Sequence, residues 1–270
     1  MSIVFACAAS HAPGISAWTE AAPQEQRTRL FAGFEEMKDA LAEARPDRLV
    51  VLTSEHWANF FLDHVGAFCI GRADHYEGPV EPWLKIAKSR IAGDPVLSLR
   101  MIEHCYAHGF EPSYSHEMRL DHGTMVPLSL IAPALDIPIV PIMFNTLATP
   151  RPSARRCLEL GRILAPVLEN ASERIAVIAT GGLSHDPAEI GHGFIDTQFD
   201  ARFIDRMNNG DLDALGSYSD SELLKAGAGT LELLAWICLA GVMGGAKSRL
   251  VCYEPVKPWA TGIGIVSYAA

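Results

Sequence analysis

The chain has 270 residues, 49% hydrophobic and 20% charged, with a formal net charge of −10. That length can bury a sizeable core in one domain, while the acidic balance, with no basic run, excludes a nucleic-acid surface. No apolar run reaches membrane-spanning length, and the N-terminal "MSIVFACAASHAPG" lacks the charged leader of a signal peptide. The six cysteines are scattered without a CxxC pair, so neither a disulfide framework nor a structural zinc site is expected. Together these point to a reduced, cytoplasmic protein.

In chain order, the strand candidates are Ile3–Cys7, Arg48–Thr53, Ile137–Met143 and Ile175–Thr180, with a weaker pair near Arg249–Tyr253 and Gly262–Tyr268. Between the first two lies a helix on which Leu30, Phe34, Met37 and Leu41 fall at helical spacing, closed by Pro46. "GRADHYEGPVEP" (71–82) is polar and rich in Gly and Pro, and reads as a loop and candidate lid. "SARRCLELGRILAPVLEN" is a second helix ahead of the Ile175 strand, and the C-terminal third is mostly helical. Strand, helix, strand at these separations predicts an α/β fold: a mostly parallel or mixed central sheet flanked by helices, one domain over 1–270. The continuous apolar strands fit burial on both faces.

Three of these strands are followed within a few residues by a histidine: His11 in "ASHAPG", His56 in "TSEHW" and His185 in "TGGLSHDP". Ligands of open α/β sheets bind outside the carboxyl ends of the strands, so parallel pairing would bring all three to one edge. Each histidine alone reads more simply as a surface or capping residue; three at one topological edge favour a shared site. Gly181 and Gly182 would let the backbone turn sharply and leave His185 facing the crevice.

Glu232 is the next anomaly. It sits in the apolar "GTLELLAWICLAG", where its helical neighbours Ala228, Gly229, Ala235 and Trp236 offer no cation. A buried carboxylate without a partner tends to become neutral unless it binds a cation; the alternative is a solvent-facing residue near a helix start. Two histidines and one carboxylate form the facial triad of non-heme iron sites, although the set also suits Mn(II) or Zn(II). His122 in "LDHGTMVPL" is either a turn residue at a helix start or an active-site residue whose tautomer the adjacent Asp121 could fix. Of the remaining histidines, His75 in the loop merits attention; His64, His104, His108, His116 and His192 show no comparable setting.

The ordered set "SHAPG", "SEHWANFF", "LDHGTMVPL", "TGGLSHDP" and "GTLELLAWICLAG…EPVKPWATGIGIV" resembles the class III extradiol ring-cleaving dioxygenases. That superfamily holds the protocatechuate 4,5-dioxygenase catalytic subunit and 2,3-dihydroxyphenylpropionate 1,2-dioxygenase. The resemblance spans about residues 3 to 268 and implies His11, His56 and Glu232 as ligands of Fe(II), with His185 and His122 as the acid–base pair. Three protein ligands, two substrate oxygens and O₂ then complete an octahedral iron. A catechol-type diol would lose a proton to His185 and, with His122 as acid, be opened by O₂ to a semialdehyde in aromatic compound catabolism; the two histidine roles are interchangeable at this level. The resemblance, together with the apolar C-terminal helix, also suggests a homo-oligomer, with an accessory small subunit in some relatives. Two other functions use the same residues: a zinc hydrolase with His185 as general base, and a non-catalytic subunit of a two-component dioxygenase. The intact five-residue set argues against the second.

Overall fold

The four apolar runs end up side by side. In the computed structural model, which describes residues 2–187 and 193–269, they are β1 (Ile3–Ser10), β2 (Arg48–Ser54), β7 (Ile139–Phe144) and β8 (Ile175–Gly181). The intervening strands are β3 (Phe68–Gly71), β4 (His75–Gly78), β5 (Ser89–Ala92) and β6 (Ser113–Ser115), and the chain closes with β9 (Ser248–Val256) and β10 (Thr261–Tyr268). The main sheet has the order β6-β3-β7-β2-β8-β1-β10-β9. Its centre, β7-β2-β8-β1, is parallel; β3 joins β7, and β10 joins β1 and β9, antiparallel. The sheet is therefore mixed.

Alternation of side chains across each strand feeds two cores. Leu49 and Val51 of β2 face a layer made by α1 (Gly14–Ala17), α2 (Gln24–Ala44) and α4 (His122–Ile131), while α3 (Pro95–Ala107) lies on the other side. Val50 and Leu52 face α3 together with α5 (Ala154–Glu169), α6 (Thr197–Asn209), α7 (Leu212–Gly216), α8 (Asp220–Lys225) and α9 (Leu233–Val242). Both faces being covered is the reason the strands read as unbroken apolar runs. On α2 the buried residues include Leu30, Phe34, Met37 and Leu41, the stripe its spacing predicts.

Two sequence expectations change. The 71–82 segment is not loop throughout, because His75–Gly78 pairs antiparallel with Ser89–Ala92, with Tyr76 and Gly78 buried and His75 and Glu77 exposed. His75 meets Arg90 there (2.9 Å) rather than the histidine cluster. The apolar C-terminal helix that hinted at an oligomer has all ten residues of α9 buried within its own chain, against α5 and the sheet, so its composition needs no partner. His192 lies outside the described residues. Among the described residues no helix is long and apolar enough to cross a membrane.

The α5–α9 contact brings backbone onto backbone. A Cβ on Gly161 would overlap the Cys238 carbonyl oxygen, and one on Gly241 would overlap that of Leu158. Neither obstacle is a side-chain tip that can swing away. Overpacking of this kind costs about 1–3 kcal/mol, so G161A should lower the unfolding free energy measured in urea by about that amount and shift the midpoint down, whereas substitution at the surface position Glu169 should not.

Candidate metal centre at the carboxyl edge of the sheet

Because β1, β2 and β8 run parallel, their carboxyl ends open onto one edge, and the three histidines follow there. His11 comes directly after β1, its amide donating to the Gly181 carbonyl at the end of β8 (2.9 Å). His56 is the second residue after β2, and His185 the fourth after β8. Gly181 has φ +151°, a region open to glycine, and its neighbour Gly182 leaves no room for a side chain, since a Cβ there would overlap the His185 ring. Gly229 is constrained in the same way by Nε2 of His185. Gly182 and Gly229 thus leave the space that the His185 imidazole occupies.

Glu232 is buried, 6% exposed, at the end of a short 3-10 turn (Ala228–Glu232) that leads into α9. The solvent-facing alternative is excluded. Its Oε2 lies 3.0 Å from Nε2 of His11, and its Oε1 lies 3.2 Å from Nε2 of His56 and 3.6 Å from Nε2 of His185. His122, the first residue of α4, completes the cluster with its ring centre 4.1 Å from that of His56 and 5.5 Å from that of His11. All five residues singled out in the sequence are brought together.

The other nitrogen of each ring is tied down, which fixes what faces inward. His56 Nδ1–H donates to Asp121 Oδ2 (3.0 Å). His11 Nδ1 lies 3.0 Å from Thr180 Oγ1, whose own hydroxyl donates to Thr53 Oγ1 (2.9 Å), so the ring is the donor. His185 Nδ1–H donates to the Leu183 carbonyl (2.9 Å). His122 Nδ1–H donates to Glu81 Oε1 (2.6 Å), which also accepts the His122 amide (3.0 Å). Every ring therefore keeps Nε2 for the interior, the usual arrangement when imidazole serves a metal or moves protons. Adjacent Asp121 does not fix the His122 tautomer: the two side chains diverge, and Asp121 serves His56 while Glu81 serves His122.

Sequence reading missed Glu81, Thr180, Thr53 and Glu55. Glu55 is buried and accepts the amides of Trp57 (2.6 Å), Ala58 (2.7 Å) and Asn59 (2.6 Å), holding the turn after His56 with Trp57 at φ +58°. The signal for Glu55 and Thr180 was a polar residue at the end of an apolar strand beside a candidate histidine. Glu81 lay in the segment read as a loop.

Burial and charge set the protonation states. Burial lowers His11, outweighing Glu232. Burial also opposes a proton on His56, but the Asp121 and Glu232 carboxylates outweigh it and hold the ring well above its ordinary value. His185 is raised in the same way by Glu232. Glu232 itself would be pushed up by burial, yet His11 and His185 hold it well below the usual carboxylate range. His56 likewise overcomes burial at Asp121, held at about 2.

His11 Nε2 and Glu232 Oε2, though 3.0 Å apart, form no hydrogen bond and have no other hydrogen-bond partner. Orphaned buried polar atoms need an account, and a shared cation between them supplies one. His11, His56 and His122 also each offer a ligand atom within 4.8 Å of one another. Nitrogen and carboxylate donors of this kind suit a divalent transition metal, so the residues present fit a metal ion.

A buried, metal-competent histidine and carboxylate cluster at the carboxyl edge of an α/β sheet defines a metalloenzyme-type centre. Residues 5–264 match the family described as "Catalytic LigB subunit of aromatic ring-opening dioxygenase". The chain belongs to that family and is a ring-opening dioxygenase of the extradiol class. It is similar to the 2,3-dihydroxyphenylpropionate/2,3-dihydroxicinnamic acid 1,2-dioxygenase of Photorhabdus laumondii subsp. laumondii, 26% identical over 99% of this chain and 97% of that protein. The protein of the same name from Mycolicibacterium gilvum is 31% identical over 67% of this chain and 56% of its own length. Among solved structures, uncharacterized protein JW3007 from Escherichia coli K12 shares the fold, with a TM-score of 0.57 at 18% identity over 87% of this chain and 92% of that one.

The raised His56 fixes the sign of a pH effect. In the metal-free protein this ring keeps its proton to higher pH than free imidazole does, so a divalent cation must displace it. Binding should release protons, and affinity should fall as pH is lowered from about 8 to about 6; calorimetry in buffers of differing ionisation enthalpy measures both. D121N removes the carboxylate behind His56 and should weaken metal binding about 10- to 100-fold.

Proposed function

We propose that this chain is an Fe(II)-dependent extradiol dioxygenase that opens the ring of a catechol-type diol with O₂ to a semialdehyde, in aromatic compound catabolism. The observation that carries the reading is the convergence of His11 and His56 Nε2 on the two oxygens of one buried carboxylate, Glu232. These three residues are the proposed ligands. Bound there, ferrous iron would supply open positions for the diol oxygens and O₂ and an electron path between them.

The chain's own residues handle protons and geometry. His185 gives its Nδ1–H to a backbone carbonyl, which leaves a lone pair on Nε2; it is the proposed base for a diol hydroxyl. His122 has a carboxylate behind Nδ1 instead, a partner suited to a ring that delivers a proton from Nε2 during ring opening. Bonding to His122 overcomes burial and lowers Glu81, so that carboxylate is ionised when it does this. Thr180, Asp121 and Leu183 hold the other rings in register. Cytoplasmic location accords with six free cysteines, five of them buried. A homo-oligomer, with or without a small accessory subunit, is proposed on the family resemblance alone.

The test is oxygen consumption, with absorbance of the yellow ring-opened product, across a panel of catechols after anaerobic loading with Fe(II). A metal-activated hydrolase would consume no oxygen. H11A and E232A should lose bound iron. H122A and H185A should keep it, with H185A losing about 10²- to 10⁴-fold in turnover. Iron loss in H122A to the level of H11A would shift the ligand set to three imidazoles. E81Q should keep iron and lower kcat by about ten-fold with a smaller change in KM, because His122 loses its ionised partner.

A further inference from the structure

Trp18 and Trp83 stack on the rim of the site, ring centres 5.5 Å apart and planes 14° from parallel. They remain 56% and 46% exposed. The rings come from separate segments, one shortly after His11 and the other two residues beyond Glu81. Each is anchored. The Trp18 carbonyl accepts the Trp259 indole N–H (3.0 Å), and the Trp259 ring presses on Gly14, where a Cβ would overlap it. Trp83 is held near the site by the Glu81–His122 bonds, and its ring centre lies 6.3 Å from that of His122. Since His122 is in turn 4.1 Å from His56, a row of rings, tilted to one another at the histidines and stacked at the two indoles, runs outward from the candidate metal centre through His56, His122, Trp83 and Trp18.

Two half-exposed indoles held together at the mouth of a site add little to the core. Exposed apolar surface continuous with a site marks a contact for ligand, and indole faces favour planar aromatic partners. We propose that the Trp18–Trp83 pair is a subsite for the part of the substrate beyond the diol ring, and that the substrates are diols carrying a second planar, apolar ring, either aryl-substituted or fused. The inference deepens the ring-cleavage reading and rests on it for the placement of the diol. An anionic alkyl tail would gain nothing from the faces of these indoles, whereas a second ring extends the row.

The experiment is anaerobic calorimetry of the Fe(II)-loaded protein with 2,3-dihydroxybiphenyl and with catechol, alongside W18A, W83A and W83F. The native protein should bind the biphenyl diol more tightly than catechol. W18A and W83A should narrow that ratio by about five- to ten-fold, the worth of an aromatic contact, and W83F should restore most of it. Equal losses for both ligands, or no loss, overturn the subsite. Weakened self-association in sedimentation with an unchanged ratio also overturns it, assigning the pair to contact with a second copy. If the ratio narrows but no diol is opened under air, the subsite stands and the ring-cleavage reading fails. If catechol is opened while the ratio ignores both tryptophans, the reverse holds.

Discussion

The structure depends on a carboxylate placed where it has no right to be charged. Glu232 sits beneath the surface at the start of a wholly buried helix, and burial alone would protonate it. It is kept ionised by the imidazoles of His11, His56 and His185, which arrive from the ends of three parallel strands. That arrangement requires β1, β2 and β8 to be neighbours running in one direction, and requires α9 to enter the molecule at their carboxyl edge. Sheet order and helix burial are therefore both conditions of the same electrostatic pairing. Where oxygen and nitrogen come within 3.0 Å without a hydrogen bond, at Glu232 and His11, the pairing is incomplete in the way a cation would complete.

A second layer decides what the imidazoles can do. The Nδ1 partners differ in kind: a hydroxyl for His11, a carboxylate for His56 and for His122, a backbone carbonyl for His185. In the proposed roles the carbonyl-bound His185 accepts a proton at Nε2 and the carboxylate-backed His122 delivers one. Four chemically identical side chains thus acquire different uses from groups that never face the interior. The segment that carries Glu81, the carboxylate that holds His122, also carries Trp83, so the bracing of that imidazole and the surface in front of it are set by one short stretch.

The central strands were legible because burial on both faces leaves only apolar residues, and the histidines were legible because three of them followed such runs. Short strands were not. In β4, Tyr76 and Gly78 are buried while His75 and Glu77 are exposed, a pattern too brief, and too close to Gly and Pro, to stand out from a loop. Glu232 announced itself by lacking a cation on its own helix, but one-dimensional neighbours could not say whether its partners lay elsewhere or in water. Asp121 shows the converse: adjacency to His122 left open whether the two would bond, and the backbone turned the Asp121 side chain to His56 instead.

The α/β class, the four central strands and the five residues that meet at the candidate centre could be read from the chain itself, since hydrophobic periodicity and strand-end position are properties of consecutive residues. Packing in three dimensions set which carboxylate stands behind which imidazole, turned α9 into its own core, and brought Trp18 and Trp83 together. Those facts depend on the direction of side chains brought together from distant segments, and direction is fixed by packing.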